Sequence, residues 1–275
     1  MKASIEPNGI RKELLHVAVF QSDIVWESPK ENYEKVERAL EALADSEVDL
    51  IVLPETFSTG FTNRMSDFAE PIEGETLDFF RRIASRYDAM VMGSWLIHED
   101  ECNALRNREY MVRPCGSYDY YDKAHTFRLS HEMKLVTAGR QHVRVEWRGW
   151  RICPAVCYDL RFGTWLNNGY NPTTQQLDYD LMVVSANWPT ARIGAWDTLL
   201  KARAIENLCY VVGANRTGRD GLGYDHCGHS LIVDYKGVVL ADGNDGTEKP
   251  ITFSLSASQL EEFRRRCPFY LDFDQ

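Results

Sequence analysis

The sequence predicts an α/β fold, and two observations carry that prediction. Short apolar runs typical of buried strands alternate along the chain with segments of helical periodicity. The 275 residues also contain no low-complexity segment, no repeat of fixed period and no interdomain linker, and 44% of them are hydrophobic. A chain of this length can bury a large core. We therefore expect a single domain over residues 1–275, with layered sheets and helices outside them.

The N-terminal half begins with a predicted strand at His16–Gln21, followed by a well-marked helix. Ser28 can cap this helix, Pro29 suits its first position, and Glu31 completes a capping box. Apolar residues then recur on one face of the helix. The next predicted elements are a strand at Asp49–Leu53, a helix at Thr76–Tyr87, a strand at Ala89–Trp95 and hairpin strands within Glu109–Asp122.

The C-terminal half continues the same alternation. Strands are predicted at Val143–Trp147, Arg151–Cys157, Leu181–Ala186 and Cys209–Ala214, with a long helix at Trp196–Leu208. A hairpin is predicted from Ser230–Asp234 and Val238–Ala241. Ser256 and Gln259 are expected to cap a final helix, and the polar stretch Asn167–Gln176 is expected to form a surface loop.

Charge, apolar runs and cysteines limit the possible classes of protein. The formal net charge is −10 and the pI is about 5.2, which argues against nucleic acid or anionic lipid as the main partner. No apolar run has membrane length, and the opening MKASIEPNGIRKELL lacks the apolar stretch of a signal peptide. The seven cysteines are odd in number. These features predict a cytoplasmic protein without a disulfide framework.

Three predicted strand ends carry residues that suit catalysis: Glu55, Lys123 and Cys157. Each has an ordinary explanation when it is taken alone. A strand-end glutamate is usually a capping or solvated residue, a lone lysine is usually a surface charge, and a lone cysteine usually belongs to the core. In α/β folds, however, the carboxyl ends of strands present functional residues. We therefore expect the three side chains to act together.

Together these residue types suit a nucleophilic site. A cysteine thiolate is a strong nucleophile, and we expect the thiol pKa to be lowered by Lys123 and by a helix that begins after Cys157. Glu55 can take the thiol proton and later pass it to a leaving amine. Lys123 and the backbone N–H of Tyr158 can stabilise a tetrahedral oxyanion. Such chemistry requires no histidine, and we expect no metal and no cofactor.

Three motifs carry a resemblance to a known family. LPETFSTGF surrounds Glu55, YDKAHTF surrounds Lys123 and ICPAVCYDLRF surrounds Cys157. Further matching segments are ANWPTARI, KARAIENLCYVVGANRTG and GHSLIVDYKG. From about His16 to Phe263 the chain resembles the nitrilase (carbon–nitrogen hydrolase) superfamily. The resemblance implies a four-layer αββα sandwich, a Glu–Lys–Cys triad and a homodimer.

The resemblance also implies a second glutamate and a class of substrate. In SHEMKLVTAG, Glu132 and Gly139 fit the family pattern of a glutamate that follows the lysine. ETFSTGF, CYDLRF and ANWP look most like the ω-amidase branch, which hydrolyses the terminal amide of small ω-amido dicarboxylates such as 2-oxoglutaramate to the diacid and ammonia. Two departures, KAHTF after the lysine and the long Asn167–Gln176 loop, are expected to flank the pocket.

A substrate of that class carries a carboxylate, and arginine suits its recognition because the planar guanidinium binds both oxygens. Arg161 lies four residues after Cys157, within reach of a short substrate, and Arg192 is the second candidate. The alternative is that Arg161 only stiffens the site by pairing with a nearby carboxylate, which would be Asp159, Glu55 or Glu132. Trp188 and Phe61 can supply apolar walls for the substrate, or can simply belong to the core.

Other functions remain open at this stage. Carbamoyl-amide hydrolases and nitrilases of the same superfamily share the triad and differ in pocket residues. A metal-binding or redox thiol protein would use cysteines and histidine, but the paired Cys-x-x-Cys spacing typical of tight metal sites is absent. The residues available to it would be Cys153, Cys157, Cys227 and His229. A catalytically silent scaffold is the third possibility, and the intact triad argues against it.

Histidines and clustered glycines offer no stronger alternative. We expect hydrogen-bonded structural histidines, not bases, at His125, His226 and His229. Three glycines cluster at Gly218, Gly221 and Gly223. They lack the strand–GxGxxG–helix and GK[ST] contexts of nucleotide-binding sites. The partner that the sequence predicts is therefore a small-molecule amide.

Overall fold

The computed structural model describes residues 11–44, 46–244, 246, 248 and 250–273. The strands in these ranges are β1 (Leu14–Val19), β2 (Leu50–Val52), β3 (Met90–Glu99), β4 (Ala104–Val112), β5 (Tyr118–Asp122), β6 (Val145–Trp147), β7 (Trp150–Val156), β8 (Tyr170–Asn171), β9 (Gln176–Leu177), β10 (Leu181–Ala186), β11 (Tyr210–Asn215), β12 (Thr217–Arg219), β13 (Asp225–Cys227), β14 (Leu231–Val233), β15 (Val239–Asp242) and β16 (Ile251–Ser256). The α-helices are α1 (Pro29–Glu41), α2 (Glu75–Tyr87), α3 (Glu132–Leu135), α4 (Ile193–Asn207) and α5 (Ala257–Arg266).

Two six-stranded sheets dominate the described part of the chain. The first has the order β16-β1-β2-β3-β4-β5, and the second has the order β15-β14-β11-β10-β7-β6. β1, β2 and β3 run parallel in the first sheet, and β7, β10 and β11 run parallel in the second. The parallel strands lie centrally, so their carboxyl ends can carry residues into a shared site.

Alternating side chains explain how the two sheets stack. In β1, Leu15, Val17 and Val19 enter a core that they share with residues of the second sheet such as Ile152 and Val183. The residues between them face the other way, since successive side chains of a strand point to opposite faces. The sheets therefore pack face to face through their apolar inner surfaces.

Helices cover the outer faces of both sheets. Leu40 of α1 and Phe80 of α2 pack with Ile51 and Val91 on the outer face of the first sheet. Residues of α4, including Leu200, pack in the same way against the second sheet. The layer order is helices, sheet, sheet and helices. The predicted four-layer αββα sandwich is confirmed.

The predicted helix caps are formed in one case and altered in the other. Ser256 Oγ accepts the backbone N–H of Gln259 at 3.2 Å, so the cap of α5 is confirmed. Ser28 caps no backbone N–H of α1, and its hydroxyl instead donates to the Glu31 carboxylate at 2.7 Å. The capping box predicted there is therefore wrong in its hydrogen bonds, although α1 begins at Pro29 as expected.

Several strands of the structure were not predicted from the sequence. β16 pairs antiparallel with β1. Apolar and polar residues alternate along β16, with Ile251, Phe253 and Leu255 as the apolar ones, and this period of two is the pattern that indicates a strand. β12 and β13 form a further short hairpin. The predicted loop Asn167–Gln176 contains β8 and the start of β9, with an exposed tip between them.

No helix within the described ranges combines the length and apolarity needed to cross a membrane. The prediction about a signal peptide concerns residues 1–15, of which residues 1–10 lie outside the described residues.

Candidate active site

Four strand ends meet at one pocket. Glu55 follows β2, Lys123 follows β5, Cys157 follows β7 and Asn187 follows β10, and all four line a cavity of about 490 Å³. Two of these strands belong to the first sheet and two to the second. The structure thus brings together the three residues that the sequence singled out, because these strands of both sheets end at the same side of the sandwich.

The floor of the pocket is a buried network of charge. Lys123 Nζ donates to Glu55 Oε1 at 2.8 Å and to the two oxygens of Glu132 at 3.0 and 2.9 Å. Asn107 Nδ2 donates to Glu55 Oε1 and to Glu132 Oε1, at 2.9 Å in both cases. Each of the four residues is no more than 1% exposed. The ammonium therefore has its three protons directed at carboxylate oxygens.

The carboxylates decide the protonation of the lysine. Burial acts to lower the pKa of Lys123, but the negative charges of Glu132 and Glu55 outweigh it and hold that pKa above its usual value. Burial raises the pKa of Glu132, and the Lys123 ammonium opposes that rise. Glu55 accepts hydrogen bonds from Lys123, from Asn107 and from the backbone N–H of Asn187 at 3.0 Å. This hydrogen-bond pattern fits a carboxylate that is ready to accept a proton.

Cys157 occupies a strained turn. Its φ is +45°, in the left-handed region that non-glycine residues rarely adopt, at a cost of roughly 1–3 kcal/mol. Asp159 holds the turn, because one of its oxygens accepts the Val156 backbone N–H at 3.1 Å and the Tyr121 hydroxyl at 2.9 Å. The other oxygen accepts the backbone N–H of His125 at 2.9 Å. The surrounding contacts therefore fix a sulfur position that the backbone alone would not favour.

The predicted lowering of the Cys157 pKa is wrong. Burial raises this pKa well above its usual value, the charge of Glu55 adds to the rise, and Lys123 opposes both. The expected helix is a 3₁₀ turn of five residues, Cys157–Arg161, which is too short to supply a sizeable dipole. The resting cysteine is thus a thiol, and a base must take its proton during attack.

The wall of the pocket contains the residues predicted to bind substrate: Phe61, Tyr158, Arg161 and Trp188. The Arg161 guanidinium lies 4.9 Å from the Trp188 ring centroid. Arg161 makes no ion pair or hydrogen bond through its side chain to any residue that the structure describes. The alternative in which it pairs with a nearby carboxylate is therefore wrong.

Arg192, the second candidate, lies in the same wall. Its guanidinium is 5.2 Å from the centroid of the Phe127 ring, and its side chain likewise has no carboxylate partner among the described residues. Its backbone carbonyl accepts Trp188 Nε1 at 2.9 Å. Aromatic rings thus orient two unpaired guanidinium groups towards the pocket.

Two asparagines complete the site and were missed in the sequence. The Asn187 backbone N–H donates to Glu55 Oε2 at 3.0 Å, and its side-chain nitrogen donates to the Glu55 carbonyl and to Thr56 Oγ1. Asn187 lies in the ANWP motif, which was a signal for it. Asn107 lies within β4 and carries no comparable signal, because its role depends on a pairing with Glu55 and Glu132 that the sequence does not display.

Each of the three singled-out histidines has a carboxylate neighbour, as expected of hydrogen-bonded residues, and His226 also lines the pocket. His125 Nδ1 lies 2.8 Å from Asp159, His226 Nε2 lies 3.2 Å from Asp220, and His229 Nδ1 lies 3.1 Å from Asp197. Among the described residues, no group of His, Cys, Asp and Glu side chains could hold a metal ion.

The loop Asn167–Gln176 lies elsewhere than predicted. None of its residues is among the described residues that line the site pocket, and its last two border a second cavity near α5. The prediction that it flanks the pocket is therefore wrong, because β8 and β9 turn the loop away. The KAHTF segment does reach the pocket, through Lys123 and Phe127.

The fold and this pocket floor define a class of hydrolase. Residues 16–265 match the family model described as "Carbon-nitrogen hydrolase". The chain belongs to the carbon–nitrogen hydrolase family, which is the nitrilase superfamily that its motifs predicted.

Three relatives show how close the similarity is. The chain is 40% identical over 261 residues to the ω-amidase YafV of Yersinia enterocolitica, covering 95% of this chain and 97% of that protein. It is 31% identical over 260 residues to the 2-oxoglutaramate amidase of Bacillus subtilis, covering 93% and 96%. A solved CN-hydrolase superfamily protein from Xanthomonas campestris, with an arsenic adduct in its active site, matches with a TM-score of 0.92 and 40% identity over 96% of this chain and 98% of that one.

Proposed function

We propose that the chain is an ω-amidase, which hydrolyses the terminal amide of a small ω-amido carboxylate such as 2-oxoglutaramate to the acid and ammonia. One observation carries the proposal. A single pocket combines Cys157, Glu55 and Lys123 at its floor with two guanidinium groups in its wall, those of Arg161 and Arg192, which have no carboxylate partner in the part of the chain that the structure describes. The similarity to the ω-amidase and the 2-oxoglutaramate amidase supports the same activity.

The first half-reaction forms a thioester. Glu55 takes the proton of the Cys157 thiol as the sulfur attacks the amide carbon, which places a negative charge on the amide oxygen. The charge of Lys123 and the backbone N–H of Tyr158 stabilise that oxyanion. The C–N bond then breaks, Glu55 returns its proton to the nitrogen, and ammonia leaves the acyl group on sulfur.

The second half-reaction releases the acid. Glu55 removes a proton from a water molecule while the water oxygen attacks the thioester carbon. The tetrahedral intermediate collapses, the C–S bond breaks and the sulfur regains a proton from Glu55. The sum of the two halves is amide plus water giving carboxylic acid plus ammonia.

The raised pKa of the thiol explains why the base is needed. A preformed thiolate would require stabilising charge, but burial and the neighbouring Glu55 carboxylate disfavour it. Proton transfer to Glu55 removes that negative charge at the moment when the sulfur becomes nucleophilic. Glu55 and Cys157 therefore act as a coupled pair, with the total charge of the pocket floor unchanged by the transfer.

The wall of the pocket suits an anionic substrate. The chain has a formal net charge of −10, yet the guanidinium groups of Arg161 and Arg192 line the pocket without carboxylate partners among the described residues. Transfer of a substrate carboxylate into a pocket is costly unless a cation meets it. A substrate with a carboxylate at the end opposite the amide can satisfy both the sulfur and an arginine.

The test is a panel of amides scored by ammonia release. We expect 2-oxoglutaramate and related ω-amido acids to be hydrolysed with a higher kcat/KM than a carbamoyl-amide or a nitrile of similar size. Cys157→Ala should release no ammonia from any of them while it keeps its fold. A preference for the carbamoyl-amide or the nitrile would assign the chain to another branch of the superfamily.

We also propose that the enzyme is a homodimer that works in the cytoplasm as a single domain over residues 1–275. The support is the family resemblance, the continuous alternation of strands and helices, and the composition of the sequence. Light scattering that shows a monomer at micromolar concentration would contradict the dimer, and cell fractionation would test the compartment.

A further inference from the structure

Glu109 is a buried acid that the proposed mechanism does not use. It lies on β4, opposite Ser94 of β3 and Tyr121 of β5, and its exposure is 0%. Its Oε1 lies 2.9 Å from Ser185 Oγ of β10, in the other sheet. Its Oε2 has no hydrogen-bond partner among the described residues. A charged carboxylate in such a place would be poorly solvated.

The protons available to Ser185 indicate which form of Glu109 is present. Ser185 Oγ lies 2.8 Å from the carbonyl oxygen of Leu53 as well as 2.9 Å from Glu109 Oε1. A carbonyl oxygen can only accept, and a serine hydroxyl has one proton to give. If Ser185 donates to Leu53, the short contact with Glu109 needs a proton from Glu109. A neutral carboxylic acid satisfies both contacts, whereas a carboxylate leaves one without hydrogen.

The surrounding charges favour the same form. Burial, and then the negative charges of Glu55 and Asp159, raise the pKa of Glu109 well above its usual value, although the Ser185 hydroxyl opposes the rise. Lys123, the buried cation of the pocket floor, directs its hydrogen bonds at Glu55 and Glu132 and not at Glu109. Three N–H groups donate to the Glu55 side chain and stabilise it as a carboxylate. No N–H group of the described residues donates to the Glu109 side chain, which favours its neutral form.

We propose that Glu109 is a positioning residue for the reaction, held as a neutral carboxylic acid that donates to Ser185 and thereby fixes the Leu53 carbonyl two residues before Glu55. These hydrogen bonds run from Glu109 in the first sheet to Ser185 in the second, and from Ser185 back to Leu53 at the end of β2 in the first. They set the strand end that carries Glu55 against the sheet that carries Cys157. Only the kinetic test of this inference rests on the proposed function.

The charge of Glu109 is tested by stability, without substrate. The unfolded chain releases this proton near its usual pKa of about 4.5, whereas the native protein keeps it. Wild type should therefore lose stability relative to Glu109→Gln as the pH rises from about 5 to 8, by up to about tenfold in the folding equilibrium constant per pH unit. Glu146→Gln, at an exposed position of β6, is the matched control and should show no such trend.

Infrared spectroscopy gives an independent readout of the same proton. The difference between the spectra of wild type and Glu109→Gln at neutral pH should contain a carbonyl band of a protonated carboxylic acid that only wild type contributes. A stability difference that does not change with pH, or the absence of that band in wild type, would show that Glu109 is ionised and would overturn the proposal.

The positioning role is tested by kcat on whichever amide the enzyme hydrolyses. Glu109→Gln should keep kcat within about threefold, because its amide N–H can replace the donated proton, whereas Glu109→Leu should lower kcat at least tenfold with a smaller change in KM. Ser185→Ala breaks the same hydrogen bonds and should match Glu109→Leu, which covers the case in which the leucine variant does not fold. Equal losses in Glu109→Gln and Glu109→Leu, or a full kcat in Ser185→Ala, would overturn the positioning role.

Discussion

Both carboxylate oxygens of Glu132 accept hydrogen bonds from the Lys123 ammonium, at 3.0 and 2.9 Å. The same carboxylate also accepts Asn107 Nδ2 at 2.9 Å and the Phe127 backbone N–H at 2.6 Å. These four hydrogen bonds, from three donor groups, leave Glu132 poorly placed to act as a free base. This geometry suits orientation of Lys123 better than activation of a water molecule.

We predict that Glu132→Gln lowers kcat by at least tenfold and changes KM less. The glutamine amide would direct N–H groups at Lys123 or at the Phe127 N–H, so one of these donors would lose its acceptor. Steady-state kinetics on a good ω-amide substrate measures the effect. Full kcat in this variant would show that the orientation of Lys123 does not depend on Glu132.

A second prediction concerns the identity of the nucleophile. Iodoacetamide should label Cys157 and stop activity in proportion to labelling, because Cys157 lines the pocket. Cys153 should remain unlabelled in the native protein, since it is wholly buried and burial raises its pKa to about 11. Peptide mass analysis locates the label. Loss of activity with the label on Cys153 alone would remove Cys157 from the mechanism.

The rate of that labelling should depend on pH in a defined direction. Because burial and Glu55 raise the Cys157 pKa, the thiol form dominates at neutral pH and the thiolate fraction grows as the pH rises. The alkylation rate of the free enzyme should therefore increase steadily from about pH 7 to 9. A rate that is already constant above about pH 6 would indicate a thiolate of lowered pKa.

Removal of the base should affect both half-reactions. Glu55→Gln keeps the size of the side chain but cannot take the thiol proton, so we predict a loss of kcat of at least about 10²-fold. Both the release of ammonia and the release of the acid should slow in rapid-quench experiments. A variant that accumulates thioester at the wild-type rate would restrict Glu55 to the second step.

The arginine prediction separates substrate binding from site architecture. Arg161→Met keeps a long apolar side chain against Trp188 and removes the charge. We expect kcat/KM to fall far more for a substrate with a free carboxylate than for its neutral ester. Equal losses on both substrates would show that Arg161 organises the pocket without contacting the carboxylate. Arg192→Met, measured in the same way, compares the second guanidinium.

The positions of the triad could be predicted because local sequence shows where strands end. Glu55 and Cys157 each close a buried strand, Lys123 follows an aromatic pair at the end of a hairpin strand, and such strand ends can meet at one edge of the sheets. The layer order was available only from the family resemblance, since alternating apolar residues do not tell which two faces meet.

The electrostatics of the site could not be predicted from the same strand ends. The thiol pKa depends on burial and on the charge of Glu55, which lies about a hundred residues away in the sequence. Lys123 lowers this pKa as predicted, but burial and Glu55 outweigh it. Asn107 and Glu109 lie within β4, where they resemble ordinary strand residues. Their roles follow from pairing across the sandwich, which a pattern along one strand does not display.

The proposed base and nucleophile lie on different sheets: Glu55 follows β2 in the first sheet, and Cys157 follows β7 in the second. Their separation is therefore set by the spacing of the whole sandwich, and no single loop controls it. The apolar side chains between the sheets, Met92 and Val183 among them, act as spacers for a proton transfer in which they take no part. A shift of one sheet over the other by a fraction of an ångström would change the distance between Glu55 and Cys157. Such a shift would slow the proton transfer even though no residue of the pocket had been replaced.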